Sequence, residues 1–288
     1  MIKNDYEPTN LEIEEAERQS EEDERLEEEY DAYIRERMSE DEEYNHWKEK
    51  IPHLIFKYRS VDNALSLIRS IDIIKNHRLF MSPSKLLNDP FEGGNVDYLL
   101  SEDSDEFNKL IKECRILSLS RDCFSAPLWA HYTSECKGIC IGFSTYKSFS
   151  CIRKLEYAST IDKKQWWTTD KKDAVDKEFY YKSKEWEYED EYRIVRNHNQ
   201  KNLIHETDYK GNDKVFFPFD EAEIAVVIFG ENVEKEIKDA IVDIIPSTCL
   251  AFDIKADKKR SRYYLVKCTT DETPIYTLEE LYKIVLNK

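Results

Sequence analysis

One stretch of the chain alternates glutamates with aromatic residues, a pattern that is costly to bury because the carboxylates repel each other. Residues 182–195 read KSKEWEYEDEYRIV. At the strand period of two, the charged face holds Glu187, Glu189, Glu191 and Arg193, and aromatic side chains fall on the other face. Carboxylates this close repel each other unless a cation, a proton or a ligand compensates them. The pattern indicates a functional site on a β-strand or, more simply, a solvated strand face neutralised by Arg193 and the preceding lysines.

Negative charge is concentrated at the N-terminus. The 288 residues carry a net charge of −17, of which residues 1–50, with 20 acidic and 7 basic residues, contribute −13. The remaining 40 acidic and 36 basic residues, net −4, argue against broad non-specific binding to nucleic acid but leave room for a local basic groove.

The N-terminal segment is predicted to be an acidic helical arm spanning residues 1–50. Its helix propensity is high, and its apolar positions are too sparse to hold a helical bundle. Two interpretations stay open: the arm lies on the main domain, on a second copy or on a basic partner, or it is a solvated charged helix without a specific contact.

Residues 51–288 are predicted to form a single α+β domain. Short strand-like runs outnumber helical ones and show neither βαβ alternation nor an internal repeat, which favours a mostly antiparallel, curved sheet with flanking helices. The seven cysteines form no CxxC pair, and no secretory or long apolar segment occurs. We expect a cytoplasmic protein with reduced thiols, no metal site and no membrane span.

A basic and aromatic cluster ends the first predicted strand. Tyr58, Arg59 and Ser60 follow Lys57 directly before a predicted helix. The fork-shaped guanidinium and the positive end of a helix dipole both favour a negatively charged group. A surface arginine beside a turn is the simpler interpretation.

The loop Asn88-Asp89-Pro90-Phe91-Glu92 is the next candidate. Turn chemistry accounts for Asn88 and Pro90 but leaves Glu92 without a structural reason. Asp89 and Glu92 are therefore candidates to bind a metal or to hold Arg59.

A third cluster contains Trp129, His131 and Tyr132. Trp129 and Tyr132 are three residues apart, so on a helical turn their rings line one side and form a stacking wall. His131 alone is more typical of a hydrogen-bonded structural group than of a catalyst.

Taken in this order, the four clusters resemble a bacterial family, the domain of unknown function 2971 proteins. That family shares a Tyr-Arg-Ser-like first strand, an Asn-Asp-Pro-x-Glu loop, a Trp-Ala-x-Tyr segment and a Trp-x-x-Glu-x-Glu-Tyr-Arg strand. The similar region spans residues 54–267 and includes the ending Val227-Ile228-Phe229-Gly230. The acidic arm lies outside it.

The same series of residues is similar to the layout of ADP-ribosyltransferases. That resemblance implies NAD as the substrate and a role as a toxin or in defence against phage, with an unknown protein or nucleic acid as acceptor. It assigns Tyr58 or Arg59 to the ribose, Trp129 and Tyr132 to the nicotinamide, and Glu191 or Glu189 to the ribosyl centre. A carboxylate there stabilises the positive charge that develops on the sugar, and Glu191 is the preferred candidate.

Two other classes of function remain open. A metal-dependent nuclease would use Asp89, Glu92, Glu189 and Glu191 to hold Mg²⁺, with Lys182 or Lys184 near the phosphate. A non-catalytic sensing or interaction module would instead use Arg59, Glu92, Glu191 and Arg193 as a buried salt-bridge network around a ligand pocket.

Overall fold

The computed structural model describes residues 51–92, 103–160, 177–268 and 273–286. The predicted acidic helical arm, residues 1–50, lies outside the described residues. The chain from Pro52 onward forms one compact unit. No disulfide joins any of the seven cysteines, all of which lie in the described ranges. Within those ranges, every helix is too short or too polar to cross a bilayer.

The described elements are mainly strands. The strands are β1 (Leu54–Ser60), β2 (Arg78–Pro83), β3 (Cys114–Ser120), β4 (Gly138–Ser144), β5 (Arg153–Lys154), β6 (Glu156–Ala158), β7 (Tyr181–Ser183), β8 (Glu191–Asn197), β9 (Ile204–Thr207), β10 (Asp213–Pro218), β11 (Ile224–Phe229), β12 (Leu250–Asp257) and β13 (Arg262–Lys267). The α-helices are α1 (Ala64–Asn76), α2 (Asp103–Glu113), α3 (Ala126–Tyr132), α4 (Lys235–Val242) and α5 (Leu278–Leu286). Short 3₁₀ helices span Ser84–Leu86, Ser148–Cys151, Lys184–Glu189 and Glu221–Glu223.

One large sheet organises the domain. Its strand order is β13-β12-β11-β4-β1-β3-β2-β10-β9, and β8 lies between β3 and β5. Neighbouring strands are antiparallel except for β11 and β12, which are parallel and connected through α4. β6 and β7 form a separate parallel pair. The predicted α+β class, with a mostly antiparallel sheet and flanking helices, is confirmed.

The centre of the sheet is formed by uninterrupted apolar runs. β4 is buried along almost its whole length between β1 and β11, as expected for a strand covered on both faces. A Cβ atom on Gly142 would lie 2.5 Å from Val226 Cγ2 and 2.7 Å from Phe56 Cε1, so only glycine lets these strands approach so closely.

The structure corrects the predicted glutamate strand. Residues Lys184–Glu189 form a 3₁₀ helix, and the chain reverses at Asp190, which has left-handed backbone angles (φ 39°, ψ 55°), before β8 begins. Aspartate tolerates this conformation better than most residues, and its carboxylate lies 2.8 Å from Lys154 Nζ. The solvated-face interpretation is correct for Glu187, which is exposed, but wrong for Glu189 and Glu191, which are only 5% and 4% exposed.

The sheet divides at β3. β8 pairs with β3 along one edge, whereas the other edge is shared by β1, at the single pair Phe56–Ser120, and by β2, at Ser82–Ile116 and Pro83–Arg115. Between these contacts β1 and β3 separate. Their divergence opens a wedge beside residues 117–119, and the candidate site lies in it.

Candidate functional site

The wedge is occupied by a cavity of about 340 Å³, which we call the fork cleft. β1 contributes one wall, β3 the base, and the segment from β7 to β8 the other wall, while the loop before Glu92 and helix α3 close the sides. Its lining includes Lys57, Tyr58, Arg59, Asn88, Glu92, Ser118, Tyr132, Lys182, Glu189, Glu191 and Arg193.

Glu191 is held by two cations. Arg193 Nε donates to Glu191 Oε1 at 2.6 Å and its Nη2 donates to Oε2 at 3.1 Å, while Lys182 Nζ donates to Oε2 at 3.0 Å. Burial alone raises the pKa of Glu191, but Arg193 and Lys182 outweigh it and hold that pKa well below its usual range. Glu191 therefore stays ionised, and both of its oxygens are occupied.

Lys182 joins the carboxylates of the network. Its Nζ donates to Glu189 Oε2 at 2.6 Å and lies 3.9 Å from Glu92 Oε2. The same ammonium is 4.7 Å from the centroid of the Trp186 ring, a favourable cation–π distance. Although burial lowers the pKa of Lys182, the carboxylates of Glu191, Glu92 and Glu189 together raise it.

Glu189 has a neutral partner in addition to Lys182. The Tyr132 hydroxyl donates to Glu189 Oε1 at 2.6 Å, and Asn88 Nδ2 donates to the Tyr132 hydroxyl at 3.1 Å. Burial, together with the nearby charge of Glu191, raises the pKa of Glu189 against the opposing effect of Lys182. Glu189 is thus less firmly ionised than Glu191.

Glu92 is the least satisfied carboxylate of the cleft. Its Oε1 lies 2.7 Å from Arg193 Nη2, but the two groups are not aligned for a hydrogen bond, and neither oxygen accepts one from the described residues. Burial raises the pKa of Glu92 to about 7, against the opposing effects of Arg193 and Lys182. A carboxyl group with such a pKa can take up and release a proton near neutral pH.

Two further cations line the cleft without an acidic partner in the described residues. Lys57 Nζ crosses the wedge and donates to the backbone oxygen of Ser118 at 2.7 Å, and burial, reinforced by the charge of Arg59, lowers its pKa to about 8. Arg59 Nε is buried and has no hydrogen-bond acceptor among those residues. The carboxylates of Glu191 and Glu189 only partly oppose this lowering of the Lys57 pKa. This wall of the cleft can therefore bind an anionic group, because neither cation forms an ion pair in the described residues.

Many of the residues that the sequence singled out meet in the cleft. Tyr58, Arg59, Asn88, Glu92, Tyr132, Glu189, Glu191 and Arg193 all line it. The Tyr58 hydroxyl is already engaged, because it donates to the backbone oxygen of Asp122 at 2.8 Å.

Four predicted substrate-binding residues are not in the lining. Trp129 is fully buried in the core with its indole N–H bonded to the Cys123 carbonyl, so the predicted stacking wall reduces to Tyr132. His131 is exposed on α3. The Ser60 hydroxyl donates to Asp62, and Asp89 is buried in an Asx turn where it accepts from the N–H of Phe91. For these two, local turn and cap chemistry explains the residue type.

Lys57 and Lys182 were not assigned to the predicted set of substrate-binding residues. Lys57 is one of two charged residues, with Arg59, in an otherwise mostly apolar strand, and such a residue must be compensated when it is buried. Lys182 precedes two other charged residues, so the sequence alone does not separate it from a surface lysine.

Comparisons of the chain with protein-family models, with curated proteins and with solved structures found no match. The resemblance to the domain of unknown function 2971 proteins therefore stays a prediction, and function has to be argued from the cleft itself.

The pKa of Glu92 predicts how stability depends on pH. Because its folded pKa is raised, Glu92 contributes stability that is complete below pH 4.5 and is lost as the pH rises through about 7. Relative to wild type, Glu92→Gln is expected to gain about 2–3 kcal/mol in unfolding free energy between pH 5 and pH 8. Urea unfolding at both pH values measures this difference.

The matched control is Glu236→Gln, which removes one negative charge from an exposed position on α4. Parallel pH profiles for wild type and Glu92→Gln would contradict the raised pKa.

Proposed function

We propose that the fork cleft cleaves the glycosidic bond between nicotinamide and ribose in NAD and passes the ADP-ribosyl group to water or to an acceptor. The observation that carries this proposal is the division of charge in the cleft. Lys57 and Arg59, on β1, form no ion pair in the described residues, whereas the three carboxylates of the cleft, Glu92, Glu189 and Glu191, lie on other segments of its lining. In NAD, the anionic pyrophosphate matches the two cations, and the ribose that becomes positively charged during cleavage matches the carboxylates.

The cations of β1 would bind the anionic part of the substrate. Lys57 and Arg59 offer several N–H donors in a partly dehydrated setting, where charge-assisted hydrogen bonds are strong. A volume of about 340 Å³ suits the nicotinamide riboside half of the dinucleotide, so the adenosine half would extend out of the cleft.

Glu189 is the carboxylate best placed to stabilise the reacting sugar. When the glycosidic bond breaks, its electron pair leaves with nicotinamide and positive charge develops at the ribose. A fixed carboxylate in a cavity with little water stabilises that charge. Tyr132 and Lys182 hold Glu189 in position through hydrogen bonds of 2.6 Å each.

Glu92 and Glu191 have different roles in this proposal: Glu92 acts as the general base, and Glu191 positions neighbouring cations. The attacking water or acceptor hydroxyl must lose a proton as it bonds to the ribose carbon, and Glu92, with a pKa of about 7, can accept that proton. Both oxygens of Glu191 are bonded to Arg193 and Lys182, so we assign it to the positioning of these cations rather than to contact with substrate. This assignment moves the preferred catalytic residue from Glu191 to Glu189.

In this proposal the protein acts in the bacterial cytoplasm, as a toxin or as part of a defence against phage. The test is to incubate the purified full-length chain with NAD and to measure free nicotinamide, and in parallel the transfer of label from ³²P-NAD to protein and to nucleic acid. We expect nicotinamide release that Glu189→Gln suppresses. Neither release nor labelling in the presence of folded protein would contradict the proposal.

A non-catalytic sensing module is the second candidate, and one observation favours it. Lys182 and Arg193 occupy both oxygens of Glu191, and Lys182 also pairs with Glu189, an arrangement that can serve static ligand binding. Saturable binding of NAD or another nucleotide by calorimetry, without any turnover, would favour this function. The nuclease alternative has less support, because Asp89 is not in the lining and the paired cations already occupy oxygens that Mg²⁺ would need.

A further inference from the structure

A second concave surface lies at the end of the large sheet, on the hairpin formed by β12 and β13. Ile254 and Leu265 point to the buried face of this hairpin. Lys255 and Tyr264, which are paired across the strands, lie on its opposite face. Together with Pro274 and Tyr276, that face lines a groove of about 670 Å³, which we call the hairpin groove.

Aromatic rings form part of the groove. The centroids of the Tyr264 and Tyr276 rings are 5.5 Å apart, with an angle of 38° between the ring planes. The Arg262 guanidinium carbon lies 4.2 Å from the centroid of the Tyr276 ring. Tyr264 and Tyr276 therefore place two adjacent rings in the lining of the groove, where a planar base can stack.

The groove is also a local concentration of positive charge in a chain of net charge −17. Residues 255–262 include five basic residues and one acidic residue, net +4. The acidic residue, Asp257, is paired with Arg260 at 2.9 Å. Two nearby carboxylates accept from backbone groups: Glu231 from the N–H of Ala256 at 2.6 Å, and Glu280 from the N–H of Tyr276 at 2.7 Å. Lys255, Lys258 and Lys259 line the groove and form no ion pair in the described residues.

We propose that the hairpin groove binds single-stranded nucleic acid, with phosphates on the lysines and a base against the two tyrosine rings. Basic side chains interleaved with stacking rings are the features that bind single strands without reading a sequence. A duplex fits less well because its bases are already stacked on each other. The proposal is independent of NAD cleavage, since the groove and the fork cleft share no lining residue.

Fluorescence anisotropy with the full-length chain tests this, using labelled 12-nucleotide oligo(dT), oligo(U) and a duplex of equal length. We expect both single strands to bind more tightly than the duplex. For about four phosphate contacts, the affinity should fall about fiftyfold when the salt concentration rises fourfold.

Two variants separate the contributions of charge and stacking. Lys258→Gln/Lys259→Gln changes exposed residues, so the fold is retained, and it should weaken binding and flatten the salt dependence. Tyr264→Leu keeps an apolar side chain and should weaken single-strand binding about tenfold. The control Lys75→Gln/Lys235→Gln removes the same charge from α1 and α4.

Three results would overturn the proposal: no binding by the wild-type chain, equal affinity for duplex and single strands, or equal losses in the lysine variant and in its control. An unchanged affinity in Tyr264→Leu, with circular dichroism showing a folded protein, would equally overturn it.

Discussion

Replacing Arg193 with methionine is expected to lower the free energy of unfolding by about 3–5 kcal/mol. Arg193 is 1% exposed and contacts both Glu191 and Glu92, and its Nη1 donates to the Phe179 carbonyl at 2.8 Å. Methionine fills similar space but leaves two buried carboxylates with Lys182 as their remaining nearby cation. Urea unfolding at pH 7.5, compared with wild type, measures the loss.

The pH dependence of this loss identifies its cause. In wild type, the low folded pKa of Glu191 contributes stability that is present above its unfolded pKa and is lost as the pH falls through the folded value. Without Arg193 that pKa rises, so the difference between variant and wild type should shrink as the pH falls from 7.5 to 4.5. A steric cause would give a difference that does not change with pH.

Arg260→Met is the matched control. Arg260 also forms an arginine–carboxylate pair, with Asp257, but its side chain is 64% exposed, so its removal should leave the unfolding midpoint unchanged. If both variants lost the same stability, the buried network would not contribute to stability as we infer.

The second large expected effect is that glutamine substitutions at Glu189 and Glu191 have different consequences, one for activity and the other for stability. Glu189→Gln should lower the rate of nicotinamide release about a hundredfold to a thousandfold with little loss of stability. The folded protein raises the pKa of Glu189 and so already disfavours its charge, which means that a neutral amide of the same shape costs little folding free energy.

Glu191→Gln should instead lower the unfolding free energy by about 2–4 kcal/mol, because the fold stabilises the ionised form of Glu191. Activity measured at a temperature where this variant is fully folded should exceed that of Glu189→Gln. Each variant is the control for the other. A larger catalytic loss in folded Glu191→Gln would return the principal role to Glu191, and equal stability losses would contradict the opposite directions of the two pKa shifts.

The fold was predictable where a single physical signal dominated. β4 and β11 are nearly continuous apolar runs, a pattern that favours buried strands, and both segments are strands in the structure. The segment before β8 was not predictable in the same way. Its alternating charges satisfy the strand period, but the sequence does not show that Asp190 reverses the chain or that β7 precedes a helical turn.

The site was predictable at the level of residue types rather than of contacts. Glu92 stands out in the sequence because turn chemistry gives it no role, and among the cleft carboxylates it is the one whose oxygens accept no hydrogen bond from the described residues. The prediction that Trp129 forms part of a stacking wall was wrong. A tryptophan three residues from a tyrosine is compatible with a ligand-stacking surface and with the core, and only tertiary packing decides between the two. Lys57 is a functional candidate that the sequence did not reveal. Its role depends on its contact with Ser118, which is 61 residues away in sequence and on another strand.

The separation of β1 from β3 also has a mechanical consequence. The sheet can be divided into two parts, one from β13 to β1 and one from β3 to β9, whose backbones pair at a single register position. Side chains also connect the two parts, as where Lys57 donates to the Ser118 carbonyl. We therefore expect substitutions that alter the packing of either part, even far from the fork cleft, to change the width of its entrance, and a ligand in the cleft to limit the relative movement of the two parts.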